Sequence, residues 1–125
     1  MSTGLPPGVY FATHYVDRQG RVENWHYYYE DGRVELVDED GTLLVYRFEP
    51  QHIAELKQAI QGTGLAGASS LEAGVVHDAG AVTYSWSFDG QEGSVSNRAY
   101  PAAEHPAMAR LDTVLARLEA GTAAR

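Results

Sequence analysis

Asn24 to Val37 reads NWHYYYEDGRVELV, and this stretch decides the fold. Two runs rich in Trp, Tyr, Val and Leu flank Asp31 and Gly32, a pair suited to a two-residue hairpin turn with both residues at positive φ. Such a turn pairs Glu30 with Arg33, sets Tyr29 opposite Val34 and sets Tyr27 opposite Leu36. Working outward, Gly8 to Asp17 and Thr42 to Phe48 have the same strand composition. Arg18-Gln19-Gly20 and Glu39-Asp40-Gly41 separate them from the central hairpin, and spacings this short mean a meander of four antiparallel strands. A three-residue loop with Gly20 in the left-handed region pairs Asp17 with Arg21, so that Tyr10 faces Tyr28 and Phe11 faces Tyr27. One face then collects Val9, Phe11, Tyr15, Trp25, Tyr27, Tyr29, Val34 and Leu36, and as the more apolar set it is assigned to the core. The opposite, outer face collects Tyr10, Ala12, His14, Val16, Val22, Asn24, His26, Tyr28, Glu35 and Val37. A slip of one residue exchanges the two sets. For the fourth strand a three-residue loop turns Leu44, Tyr46 and Phe48 inward, whereas a two-residue loop turns Leu43 and Val45 inward.

A helix follows the meander. Pro50 suits a first helical position, Ile53, Leu56 and Ile60 repeat at helical spacing, and Gly62 stops the run. Residues 62–80 are rich in Gly, Ala and Ser and read as a long connection. Val82, Tyr84, Trp86 and Phe88 then alternate with Ala81, Thr83, Ser85 and Ser87, a strand with one buried face and one small, polar face. Asp89 to Gly93 turns the chain into a shorter strand, Ser94 to Ala99. Pro106 opens a second helix with Met108, Leu111, Leu115 and Leu118 on one stripe, ending at Gly121. The order β-β-β-β-α-β-β-α predicts an α+β fold, an antiparallel sheet with both helices packed on one face, formed by residues 1–125 as a single domain.

Composition removes several functions. The chain has 125 residues, 44% of them hydrophobic, with no cysteine and a net charge of −8. Without cysteine there is no disulfide scaffold, no thiolate nucleophile and no thiolate metal site. The acidic balance argues against nucleic acid or an anionic membrane as partner. No apolar run approaches the roughly 20 residues of a membrane span. Met1 to Gly8 has neither the basic nor the apolar region of a signal peptide, so a cytoplasmic location is expected.

Catalytic signatures are missing as well. There is no G-x-S-x-G elbow and no S-x-x-K, and the glycines at 62, 64 and 67 follow a helix rather than opening one, the wrong order for a phosphate cradle. Ser69 and Ser70 read as filler in the Gly/Ala-rich connection. Of five histidines, His52 pairs with Glu55 on the first helix, His77 stands beside Asp78 in the long connection, and His105 reads as a surface residue before the second helix. His14 and His26 share the outer face in the register above, with Asn24 opposite His14, Tyr10 and Tyr28 close by, and Glu35 as the nearest carboxylate. That grouping makes a polar, aromatic recognition surface; a metal site there needs a third ligand beyond the two imidazoles. Asp38, Glu39 and Asp40 form an acidic hairpin tip, a negative prong for a basic partner.

The second half, with Tyr84-Ser85-Trp86-Ser87-Phe88, a Gly-containing turn, a short strand, a proline and a Leu-repeating helix, resembles emfourin over residues 42–120. That family consists of small bacterial inhibitors of thermolysin-like metallopeptidases. The resemblance implies a bacterial, non-catalytic inhibitor with a metallopeptidase as partner, and no functional residue is carried over from it. The sequence therefore predicts a non-catalytic protein-binding module, such as a protease inhibitor or antitoxin-like regulator, using Tyr10, His14, Asn24, His26, Tyr28, Glu35 and the acidic tip Asp38 to Asp40. No catalytic residue, metal or cofactor is assigned. The alternatives are a small-ligand or metal-binding protein, enzymatic or not, built on His14 and His26, and a structural domain that self-associates through its outer face.

Overall fold

The computed structural model describes residues 5–16, 23–62, 64–65, 80–100 and 105–123. Six strands and two helices follow in the order β1 (Val9–Val16), β2 (Glu23–Tyr29), β3 (Arg33–Asp38), β4 (Gly41–Arg47), α1 (Pro50–Gly62), β5 (Gly80–Phe88), β6 (Gln91–Tyr100) and α2 (Pro106–Ala123). The strands form one antiparallel sheet in the spatial order β4-β3-β2-β1-β5-β6. The first strand is therefore internal, bonded to β2 on one side and to β5 on the other. Both helices supply side chains to one core against the same face of the sheet, as the single apolar stripe on each requires. Leu56, Ile60 and Leu111 are fully buried there, and each such side chain stabilises the fold by roughly 1.5–3 kcal/mol. The long connection expected at 62–80 falls mostly, at 63 and 66–79, outside the described residues, as do the Gly20 loop, Ser69, Ser70, His77 and Asp78.

The register of the first hairpins differs from the sequence expectation by one residue. Tyr28, not Tyr29, faces Val34, and Glu35, not Leu36, faces Tyr27. The cause is the turn. Gly32 N–H donates to the Tyr29 carbonyl at 3.0 Å and Gly32 has φ of 96°, so the loop holds three residues, Glu30, Asp31 and Gly32, with glycine in the left-handed position. Phe48 N–H donates to the Gly32 carbonyl at 2.7 Å, tying this loop to the end of β4. The two-residue turn with both φ positive occurs instead at Asp89 (φ 50°) and Gly90 (φ 75°), where Phe88 pairs with Gln91. That tight turn lengthens β6 backward to Gln91.

A second shift lies in β1. Val9 pairs with Tyr29, as expected, but Phe11 pairs with Tyr28, leaving Tyr10 as the extra residue of a bulge. Tyr10 and Phe11 are both buried, and the Lys57 ammonium of α1 lies 5.1 Å from the Tyr10 ring centre. The faces of β2 are therefore exchanged relative to the sequence reading, while Phe11, Tyr15, Val34 and Leu36 keep the core side. The helix-covered face carries Phe11, Thr13, His26, Tyr28, Val34 and Tyr84; the uncovered face carries His14, Trp25, Tyr27, Tyr29 and Glu35. The loop before β4 has two residues, since Asp38 pairs with Gly41, but Leu43 is an extra residue of β4 opposite the Leu36–Val37 step of β3, and this bulge resets the phase. Tyr46 and Phe48 thus join the core while Val45 is 51% exposed.

Side chains also close the helix ends. Phe48 lies edge-on to the His52 ring at 5.4 Å, and His52 Nδ1 accepts from Glu49 N–H at 3.0 Å, so an imidazole does the work that Glu or Gln does in a capping box. His105 is not a surface residue: it is buried, its carbonyl accepts from Ala109 N–H at 2.9 Å, and its Nδ1 accepts from Met108 N–H at 3.4 Å. It is the N-cap of α2. The helix continues two residues past Gly121, to Ala123.

Candidate functional site

Two places on the sheet gather chemistry, one on each face. On the uncovered face, the alternation of β2 presents Trp25, Tyr27 and Tyr29 in a row, at the roughly 6.8 Å spacing of every second strand residue. The His14 ring stacks on Trp25 with centroids 5.1 Å apart and an interplanar angle of 21°. His14 Nε2 lies 2.6 Å from Glu23 Oε2. At the other end of the row the Arg33 guanidinium covers the Tyr29 ring at 4.0 Å, and the Tyr29 hydroxyl donates to Glu35 at 3.1 Å. Partial burial, then Glu35, holds the Tyr27 hydroxyl above its ordinary pKa. Beside the row, β5 contributes Thr83 and Ser85, and the segment Leu5-Pro6 closes a cavity of about 260 Å³ with Ala12, Trp25 and Tyr27. The result is an aromatic surface bordered by small hydroxyls, with Arg33 paired to Glu35.

The covered face holds a polar groove along one flank of α2. Tyr84 donates to Asp112, near the start of the helix, and Tyr28 and Tyr46 donate to Glu119, two turns later. The helix thus crosses the sheet from β5 toward β4, held at two points, two turns apart, by tyrosine–carboxylate bonds. Thr13 Oγ1 is 3.3 Å from His26 Nδ1, and the His26 ring stacks on Tyr28 at 6.4 Å. Burial lowers the His26 pKa below its ordinary value, opposed by the Glu119 charge. Burial and then Glu119 raise that of Tyr28. Burial and the hydrogen bond to Glu119 do the same for Tyr46.

The residues assigned to one surface by sequence are distributed over three places. His14 and Glu35 lie on the uncovered face. Tyr10 and Tyr28, expected there, are 1% and 2% exposed in the core. Asn24 and His26 share the helix side of β2, by register with Tyr15 and Thr13. Asp38, Glu39 and Asp40 sit at the β3–β4 turn, where Asp38 Oδ1 accepts from Asp40 N–H at 2.8 Å. His14 and His26 project to opposite faces, so they cannot share a metal ion, and no three His, Asp or Glu side chains among the described residues converge to hold one. The sequence pattern assigns Trp25, Tyr27 and Tyr29 to the core, whereas the structure sets them on the uncovered face. The signal for them was the small polar face of Ala81, Thr83, Ser85 and Ser87, which continues their surface across the sheet.

No family model matches this chain, and no curated protein is found similar to it. The functional reading therefore rests on the two sites themselves. Among the described residues no helix is long and apolar enough to cross a membrane.

Proposed function

We propose that this protein is a small acidic, non-catalytic protein-binding module that engages its partner through the uncovered face of the sheet. The observation that carries the reading is the row Trp25, Tyr27 and Tyr29, set on a rigid strand on the side of the sheet opposite both helices. Such rings supply large contact area with little rotamer freedom to lose, and Tyr, Trp and Arg dominate binding hot spots. Arg33 over Tyr29 and His14 over Trp25 hold the end rings in place before a partner arrives. The pairing of Glu35 with Arg33 leaves the row suited to a largely apolar patch of the partner, with the acidic tip Asp38 to Asp40 at its border meeting basic groups.

The likeness of residues 42–120 to emfourin makes a thermolysin-like metallopeptidase the first partner to assay. The wild-type protein and a Trp25→Ala/Tyr27→Ala double variant are compared for inhibition of thermolysin and for stoichiometric capture of a single protein from a bacterial lysate. A partner whose affinity falls at least about 30-fold in the folded double variant supports the reading, since truncating a hot-spot aromatic costs about 2 kcal/mol or more. A partner bound equally by both forms places binding elsewhere. A wild-type dimer that the double variant dissociates, with no other partner, replaces the reading with self-association.

A further inference from the structure

Two cross-strand rows run over β1 on the uncovered face, Tyr27–Ala12–Ser85 and Trp25–His14–Thr83, with the rings on the β2 side and the hydroxyls on the β5 side. Ala12, at the centre of the first row, has the smallest side chain, so a trough opens above it. The trough is two strand spacings wide, about 9.6 Å, enough for one extended chain. The cavity there measures about 260 Å³, below the roughly 300–1,000 Å³ that encloses a drug-sized molecule. It suits one or two side chains of a larger partner. The molecule's own Leu5 and Pro6 close one end of it, and Pro6 and Pro7 continue into the adjoining cavity beside Glu30 and Ser87. A Leu-Pro-Pro segment of this chain thus borders the trough.

The backbone beneath the trough is closed to a ligand. β1 is bonded to β2 on one side and to β5 on the other, so a docked peptide cannot join the sheet here. Any N–H it turned toward the rings would be buried without an acceptor, at a cost of about 1–3 kcal/mol each. Proline has no N–H and keeps its carbonyl, and the hydroxyls of Tyr27 and Ser85 are donors for such carbonyls. A run of prolines is also extended before it docks, so little chain entropy is lost. The Trp25 and Tyr27 positions are about 6.8 Å apart along β2, close to the roughly 6.2 Å covered by two residues of a polyproline helix. The Trp25 end of the row is acidic: Glu23 lies beside His14, and Asp38, the first residue of the Asp38 to Asp40 tip, pairs with Asn24. The opposite end carries Arg33 over Tyr29.

We infer that the partner segment seated on this face is a proline-rich run flanked at one end by basic residues, with prolines over Trp25 and Tyr27 and Lys or Arg side chains toward Glu23 and the Asp38 to Asp40 tip. This rests on the protein-binding reading of the face and adds the chemistry of the partner.

The test titrates isotope-labelled intact protein with the synthetic peptides Ac-PPPPPRR-amide and Ac-RRPPPPP-amide, followed by backbone amide NMR shifts. At least one of them saturates, with shifts centred on Ala12, Trp25, Tyr27 and Ser85. Ac-GSGSGRR-amide, of equal charge, and Ac-PPPPPEE-amide each bind weaker by about tenfold or more. The Trp25→Ala/Tyr27→Ala variant loses about tenfold or more with near-UV circular dichroism confirming its fold. Should it not fold, Ser85→Phe fills the trough with both rings in place and gives the same loss. Absence of saturable binding, equal binding of the Gly/Ser peptide, shifts centred on another surface, or full affinity in Ser85→Phe overturns the inference. A protein partner that depends on Trp25 and Tyr27 but is not displaced by either prolyl peptide also overturns it, while leaving the protein-binding reading in place.

Discussion

Replacing Tyr28 with Ala, and separately Tyr27 with Ala, tests which side of β2 the core occupies. The two side chains are neighbours of the same type, so their difference reports the face and little else. Tyr28 is 2% exposed, its ring lies 5.3 Å from Phe11 and 5.7 Å from Phe48, and its hydroxyl donates to Glu119 at 3.2 Å. Truncating a buried aromatic of this kind costs about 4 kcal/mol, a large share of the roughly 5–15 kcal/mol that holds a typical protein folded. Tyr27 is only partly buried on the uncovered face, and losing about half of a side chain's burial costs about 1 kcal/mol. Urea unfolding followed by circular dichroism measures both, with an expected gap of about 3 kcal/mol at unchanged urea slope. If Tyr28→Ala does not fold, the Phe pair carries the test: Tyr28→Phe loses a hydrogen bond to a carboxylate, about 1.5–3 kcal/mol, while Tyr27→Phe stays near zero. A Tyr27 variant as costly as its Tyr28 counterpart would refute the observed register and restore the alternative one.

Three further outcomes are expected. Gly32→Ala forces φ near 96° on a residue with a Cβ and brings that atom to 2.5 Å from the Phe48 carbonyl oxygen, so it costs about 2–4 kcal/mol and lowers the thermal midpoint by roughly 10 °C. His26 has a folded pKa below its unfolded value near 6.5. The unfolded chain therefore binds the proton first on acidification, and the protein loses stability as pH falls from about 6.5 toward the lower folded pKa. His26→Gln removes that slope, which unfolding free energies between about pH 5 and pH 7.5 measure directly; an unchanged slope contradicts the burial of His26. His52→Ala leaves the Glu49 N–H without its imidazole acceptor and costs about 1 kcal/mol by thermal melt.

The sequence carried the element order because its punctuation has one physical meaning at each place. Pro50 and Pro106 open helices since a first-turn residue needs no N–H donor, and Val82 to Phe88 alternate against small residues with clear contrast. The register of the first two hairpins lacked that contrast. Tyr27, Tyr28 and Tyr29 are consecutive, so either phase buries an aromatic. Asp31 and Gly32 fit a two-residue turn and also the last two places of a three-residue loop, and only the second is compatible with the bond from Phe48 to Gly32. The bulge at Tyr10 then shifts β1 by one residue against β2, so that Phe11 keeps its face while the whole of β2 changes sides. One unread residue in a loop and one in a strand thus sent Tyr10 and Tyr28 inward and brought Trp25 and Tyr27 out. The groove on α2 was half legible, because Asp112 and Glu119 share a flank at helical spacing, but their tyrosine partners on β2, β4 and β5 are brought together only by the sheet order.

Placing β1 inside the sheet has a consequence for synthesis on the ribosome. Its second neighbour, β5, begins at Gly80, 64 positions after Val16. The four-strand meander is complete at Arg47, 33 positions before Gly80, so at a rate of about 5–20 residues per second it exists for roughly 2–7 s with the β5-facing side of β1 unpaired. During that interval the nascent chain offers a bare strand to any neighbour, the geometry that seeds edge-to-edge association. Slowing translation between residues 48 and 80, or truncating the chain there, is where misassembly of this protein would concentrate, and a chaperone that covers that strand would act before β5 arrives.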